Sequence, residues 1–175
     1  KVAVKLHTGE KNGPNIIPRP WVKELMADLI KILPGADFWA GGPEVSYDAE
    51  KFLTENSEFK GVMVGEGEET FKELAGYYVE KNPQDLKDMT GICYRDGDQI
   101  IHNGWRQIMD LSSIPFIYKD LSEFKNRIIY YESSRGCPFS CSYCLSSIDK
   151  CLRFRKIELV KKELQFFIDH EVPQV

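Results

Sequence analysis

The 175-residue chain has no apolar run approaching the roughly 20 residues that span a bilayer, so no membrane span is expected. Its first residues lack the apolar stretch of a secretory signal, and a cytoplasmic location is expected. Positive charge is not in excess: 23 Lys and Arg stand against 27 Asp and Glu, a formal net charge of -4. That balance argues against a dedicated nucleic-acid binder, which carries a basic surplus. An even set of cysteines is lacking: the count of five is odd, which speaks against a disulfide framework. Repeats and low-complexity stretches are absent, and so is the length for a whole (β/α) barrel of about 250 residues beside anything else. What is present, 42% hydrophobic and 29% charged residues, suits a globular chain that buries a real core.

The first hundred residues alternate strand and helix patterns. Residues 2–6 read as a strand. Pro20 opens a helix in which Val22, Leu25, Met26, Leu29 and Leu33 recur at helical spacing, and Pro34-Gly35 ends it. Residues 37–40 form a short apolar strand that runs into Gly41-Gly42-Pro43, and residues 47–55 read as a helix. A second strand over 60–64 ends in Gly65-Glu66-Gly67-Glu68-Glu69, followed by a helix with Phe71, Leu74, Ala75, Tyr78 and Val79 on one face. Strands that alternate with helices predict an α/β fold with an open, doubly wound parallel sheet. The pattern then changes. Asp96-Gly97-Asp98 between residues 92–95 and 99–102 predicts a hairpin. Cys93, within an apolar stretch, reads as a packed strand residue.

Residues 1–109 are therefore assigned to the α/β domain and 110–127 to a linker that packs on a surface. Residues 128–131 are continuously apolar, as a buried parallel strand would be. The last helix is marked by Ile157, Val160, Leu164, Phe167 and Ile168, and residues 172–175 resemble the start of another strand.

Between that apolar run and the last helix lies Cys137-Pro138-Phe139-Ser140-Cys141-Ser142-Tyr143-Cys144, with spacing C-x3-C-x2-C. Three thiolates on one tight loop suit three corners of a cubane cluster, leaving one iron open. An open coordination position is what a catalytic metal needs. A structural zinc site with Cys151 as fourth ligand is the alternative, although zinc knuckles favour paired C-x2-C elements. Arg153 and Arg155 read as a solvated start to the helix, with an anionic ligand as the other possibility.

The two glycine turns fall at the carboxyl ends of predicted strands, where open α/β sheets bind ligands. Glu66, Glu68 and Glu69 oppose a phosphate there, because they already satisfy the helix dipole. Tight turns capped by glutamate remain the plainer reading. His7, His102 and His170 read as loop or surface residues.

The cysteine loop resembles that of the radical S-adenosylmethionine (SAM) superfamily. From about residue 34 onward, G-G-P-E-V-S, V-G-E-G-E-E-T-F, the hairpin, I-P-F and then the cysteine loop are similar to cobalamin-binding-domain radical SAM proteins. That family includes methyltransferases and anaerobic magnesium-protoporphyrin monomethyl ester cyclases. The resemblance implies a [4Fe–4S] cluster on Cys137, Cys141 and Cys144, and SAM cleaved to a 5′-deoxyadenosyl radical. It places Tyr143 near the adenine. It implies cobalamin against Gly41, Gly42, Gly65, Glu66 and Gly67, and a reductant such as a flavodoxin or ferredoxin. No D-x-H-x-x-G stretch is present, so no histidine ligand to cobalt is evident. Residues 1–33 look instead like the opening of an uncharacterised iron–sulfur-associated family. Residues 128–175 are expected to be the first strand, cluster loop and helix of a barrel cut short, inert as an isolated chain. The alternative is a non-catalytic α/β binding domain with a zinc or remnant cluster site.

Overall fold

The computed structural model describes residues 19–80, 85–124, 127–144 and 151–175. The expected strand over residues 2–6, and His7 beyond it, lie outside the described residues. The chain divides into two compact units, Lys1–Arg106 and Gln107–Val175.

In the first unit, helix α1 (Arg19–Ile32) is followed by strand β1 (Phe38–Gly41), the short helices α2 (Pro43–Ser46) and α3 (Ala49–Glu55), strand β2 (Phe59–Met63) and helix α4 (Glu68–Val79). Strands β3 (Ile92–Asp96) and β4 (Gln99–His102) complete a four-stranded sheet of order β1-β2-β3-β4. The β1–β2 pair is parallel, with Ala40 opposite Val62, as the strand–helix–strand pattern requires. The other two pairs are antiparallel. The Asp-Gly signal produces the expected hairpin: Asp96 pairs with Gln99, and Gly97 takes φ 57° in the turn between them. The result is an α/β sheet of the doubly wound kind with an antiparallel extension.

Alternation along β3 divides the core. Cys93 points to one face, where it packs with Ala49, Leu53, Val62 and Val64. Ile92 and Tyr94 point to the other, with Leu74, Leu86 and Met89. Burial pushes the Cys93 thiol up to about 11, so it packs as a small hydrophobe. Trp39 lies across Gly61, where a Cβ would collide with its ring. The Trp39 indole N–H donates to the Tyr78 hydroxyl at 2.8 Å, and that hydroxyl donates to Asp37 at 2.7 Å.

Two helix faces are narrower than the spacing predicts. On α1, Met26 is buried, but Leu25 and Leu33 are about two-fifths exposed. On α4, Thr70 and Leu74 are buried while Phe71 and Val79 face solvent. Helical spacing alone does not say which edge of an apolar stripe the sheet covers.

In the second unit, strands β5 (Ser134–Arg135) and β6 (Arg153–Phe154) pair antiparallel, and helix α5 (Ile157–Asp169) follows. From the 110–127 segment read as a linker, Leu111, Phe116, Tyr118 and Phe124 pack into this unit's core. Phe167, 2% exposed, meets the rings of Phe116, Tyr118, Tyr131 and Phe166. The expected strand at 128–131 is not part of a sheet here. Ile129 is buried and its N–H donates to the Gln174 carbonyl at 3.2 Å, but Tyr130 is exposed. A continuous apolar run is buried on both faces only where layers cover both sides. The α5 face also differs from the apolar pattern: Glu163 and Phe167 are buried, whereas Ile157 and Ile168 are exposed.

Candidate functional site

The glycine turns stand side by side at the carboxyl ends of β1 and β2, because those strands run parallel in register, Gly41 opposite Met63. Gly42 takes φ 103°, a conformation that side chains resist, and starts α2. One turn into that helix, the Ser46 hydroxyl donates to the Gly42 carbonyl at 2.8 Å. The same oxygen accepts the Gly65 N–H at 3.2 Å. A single buried hydroxyl thus ties the two turns together. Sequence reasoning passed over Ser46, whose signal was its place one helical turn after the glycine pair.

The glycines differ in what they must avoid. At Gly41 a Cβ would meet Met63 at 3.3 Å. Gly65 combines φ 79° with a Trp105 ring atom 3.2 Å from where its Cβ would sit. Its N–H is engaged by Ser46, so packing and backbone account for that glycine. Gly67 is different. Its φ of −90° is ordinary, and a Cβ there would meet nothing within 4 Å. Open space above Gly67 and Gly42 is therefore where a ligand can approach the backbone. Glu66 lies beside them, half-buried, with its carbonyl accepting from Thr70 at 3.4 Å.

Trp105 and Tyr47, both about half exposed, form a tilted pair with ring centroids 5.3 Å apart. Arg106 fastens the chain next to Trp105: its guanidinium pairs with Glu73, and its Nε donates to Thr70 at 3.2 Å. Neither residue stood out in the sequence, since each belongs to a polar connecting stretch.

The cysteine loop is built in the second unit. Its two ends meet in the β5–β6 ladder, Arg135 opposite Arg153. Gly136 has φ 96°, and the Cys151 carbonyl abuts the place a Cβ would occupy. Cys137, Cys141 and Cys144 form no disulfide and are partly exposed, and Cys151 is exposed. The Cys144 N–H donates to the Cys141 carbonyl at 3.2 Å, closing a turn between these two cysteines. Tyr143 is 91% exposed, and Phe139 is exposed as well. Among the described residues no three His, Cys, Asp or Glu side chains converge on a metal position. The donor set fits an iron–sulfur cluster in kind: three thiols, all accessible, on one pinned loop.

Arg155 is not the solvated residue the sequence suggested. It is 8% exposed and bidentate on Glu163, with Nε to Oε2 at 2.8 Å and Nη2 to Oε1 at 2.5 Å. Arg153 lies in β6, its Nη1 donating to the Met109 carbonyl at 2.9 Å. Burial pushes the Glu163 carboxyl up, but hydrogen bonds from Arg155 and Tyr131 outweigh it and hold the group below its ordinary value. The partly buried Tyr131 hydroxyl, desolvated and donating to that carboxylate, is pushed up to about 12.

No family model matches the chain. An uncharacterized methyltransferase of Pyrococcus horikoshii is 32% identical over 133 residues, 71% of this chain and 28% of the relative. A cobalamin-dependent radical SAM methyltransferase, TokK of Streptomyces tokunonensis, is 27% identical over 146 residues, 76% of this chain and 21% of its own. The relatives of this chain thus include methyltransferases and a cobalamin-dependent radical SAM enzyme. The solved structure of the cobalamin-dependent SAM radical enzyme OxsB, with aqua-cobalamin and SAM bound, shares the fold: TM-score 0.64 at 21% identity over 84% of this chain and 21% of that one. The chain spans about a quarter of the length of the curated relatives it matches.

Proposed function

We propose that the chain supplies the cobalamin-side α/β domain and the cluster loop of a radical SAM enzyme that transfers methyl groups or performs cyclase-type chemistry. The observation that carries this is the C-x3-C-x2-C loop, pinned at its neck, in a chain whose first unit has the α/β fold of cobalamin-associated relatives. Cys137, Cys141 and Cys144 would hold a [4Fe–4S] cluster, drawn together on loading. When bound, that cluster supplies the electron that cleaves SAM. Tyr143, exposed beside Cys144, is available to cover the adenine. Cobalamin would approach the backbone at Gly41, Gly42, Gly65 and Gly67, with Glu66 at the side and the open space at Gly42 and Gly67 admitting it most closely. A flavodoxin or ferredoxin would serve as reductant.

Anaerobic reconstitution with iron and sulfide tests the reading. Expected are visible absorption near that of iron–sulfur proteins, about four irons per chain, and an EPR signal on reduction. Colourless protein that retains stoichiometric zinc would instead support the second reading, a non-catalytic α/β domain with a four-cysteine metal site. That reading draws on Cys151, whose carbonyl lies at the loop neck. Calorimetric titration with hydroxocobalamin tests the glycine turns separately.

A further inference from the structure

Arg155 and Glu163, both buried, and the partly buried Tyr131 form a polar knot that the cluster reading does not use. Tyr131 donates to Glu163 Oε2 at 2.6 Å, and Arg155 grips both carboxylate oxygens. The fork of Arg155 also reaches the Leu111 carbonyl at 2.5 Å. Two charges removed from water are expensive, and such a pair persists only where geometry satisfies it well. Its location explains what it secures. Tyr131 precedes the cysteine loop, Arg155 follows it, and Glu163 sits at the centre of the buried face of α5.

The loop neck itself is slight. The β5–β6 ladder holds two residue pairs, and Phe154 within it is 68% exposed. One more bond extends it, from the Arg155 N–H to the Ser133 carbonyl at 2.8 Å, and Lys156 N–H reaches the Ser112 hydroxyl at 3.0 Å. Closing a loop of this length carries an entropy cost that grows with the residues enclosed. A two-pair ladder, with Ser134 and Phe154 exposed, does not offset it alone.

We infer that Tyr131, Arg155 and Glu163 are a clasp on the neck of the cysteine loop and act as positioning residues for the cluster ligands. Cys137 follows Gly136 directly, and Gly136 is packed against the Cys151 carbonyl, so the clasp fixes where the ligand loop starts and ends. Closed ends restrict the arrangements the three thiols sample before a cluster binds, which is preorganisation of a metal site. The inference rests on the cluster reading for its purpose but not for its geometry.

The experiment uses the full chain as wild type, Glu163→Gln and Tyr131→Phe, the last removing one hydrogen bond and leaving the ion pair. Amide hydrogen exchange is read first, without metal. The Arg155 and Phe154 amides are expected to exchange at least tenfold faster in both variants, with the β3–β4 amides unchanged. Iron retention against a chelator is read next on anaerobically reconstituted protein. Iron is expected to leave several-fold faster from both variants, with a broadened EPR line in the reduced state. Neck amides that exchange as in wild type would overturn the clasp. So would iron retention and EPR line shape identical across the three proteins. A wild-type chain that takes up no iron refutes the cluster reading instead, and amide exchange alone then decides whether the clasp exists.

Discussion

At the scale of single residues, the glycines of the two turns separate into those the fold needs and those it does not. Gly65 is required twice, by φ 79° and by Trp105. Alanine there is expected to cost about 1–2 kcal/mol from the left-handed backbone alone, read as a lowered midpoint in urea. Gly67 is required by neither backbone nor neighbour. Alanine there is expected to leave stability unchanged or raise it by a few tenths of a kcal/mol, roughly. If Gly67 marks where cobalamin meets the backbone, Gly67→Ala weakens hydroxocobalamin binding at least tenfold in a titration. Equal affinity would remove Gly67 from the site. The glycine pattern was legible in the sequence, but it did not separate these cases. The difference lies in Trp105 and Ser46, which the chain brings in from 40 residues downstream and 19 upstream of Gly65.

At the scale of elements, α5 is the clearest case of a pattern that misled. The apolar stripe of Ile157, Val160, Leu164, Phe167 and Ile168 suggests one buried face, while the observed face centres on Glu163. A carboxylate at a core position is admissible only because Arg155 and Tyr131 neutralise and hydrogen-bond it, and that pairing is invisible until β6 and α5 are packed. The pairing predicts a pH dependence with two limbs. Glu163 has a lowered value when folded, so its contribution is present above its ordinary 4.5 and is lost as pH falls through the folded value. Tyr131 is raised from 10.0 to about 12, so the folded state holds a proton that the unfolded state releases, and stability falls as pH rises between those values. Near-UV circular dichroism of the Tyr131–Phe167 cluster during thermal unfolding at pH 3, 7 and 11 should show the highest midpoint at 7. In Tyr131→Phe the alkaline limb should shrink. An unchanged alkaline limb would assign it to other tyrosines, of which Tyr78 is also raised by burial. Short local signals were more reliable: Asp-Gly made its hairpin, and Cys93 was packed as its apolar neighbours implied.

At the scale of the whole molecule, two compact units each carry one candidate site. The glycine turns and their Ser46 link lie in the first, the cysteine loop and its clasp in the second. Iron and cobalamin uptake are therefore expected to be separable. The triple variant Cys137→Ser/Cys141→Ser/Cys144→Ser should lose iron on reconstitution yet bind hydroxocobalamin within about twofold of wild type. Loss of both together would mean that the sites depend on one another. Among the described residues no helix is long and apolar enough to cross a membrane.

By itself, the sequence determined the α/β order, the hairpin, the glycine turns at strand ends and the three-cysteine loop. Those features depend on local chemistry: helix and strand periodicity, turn residues that tolerate positive φ, and thiol spacing within one loop. Tertiary structure alone decided which edge of each helix is covered, which glycine is spare, and that Arg155 and Glu163 are buried together. Those outcomes depend on residues distant in the chain meeting in space, where desolvation and packing act on the pair and not on either residue alone.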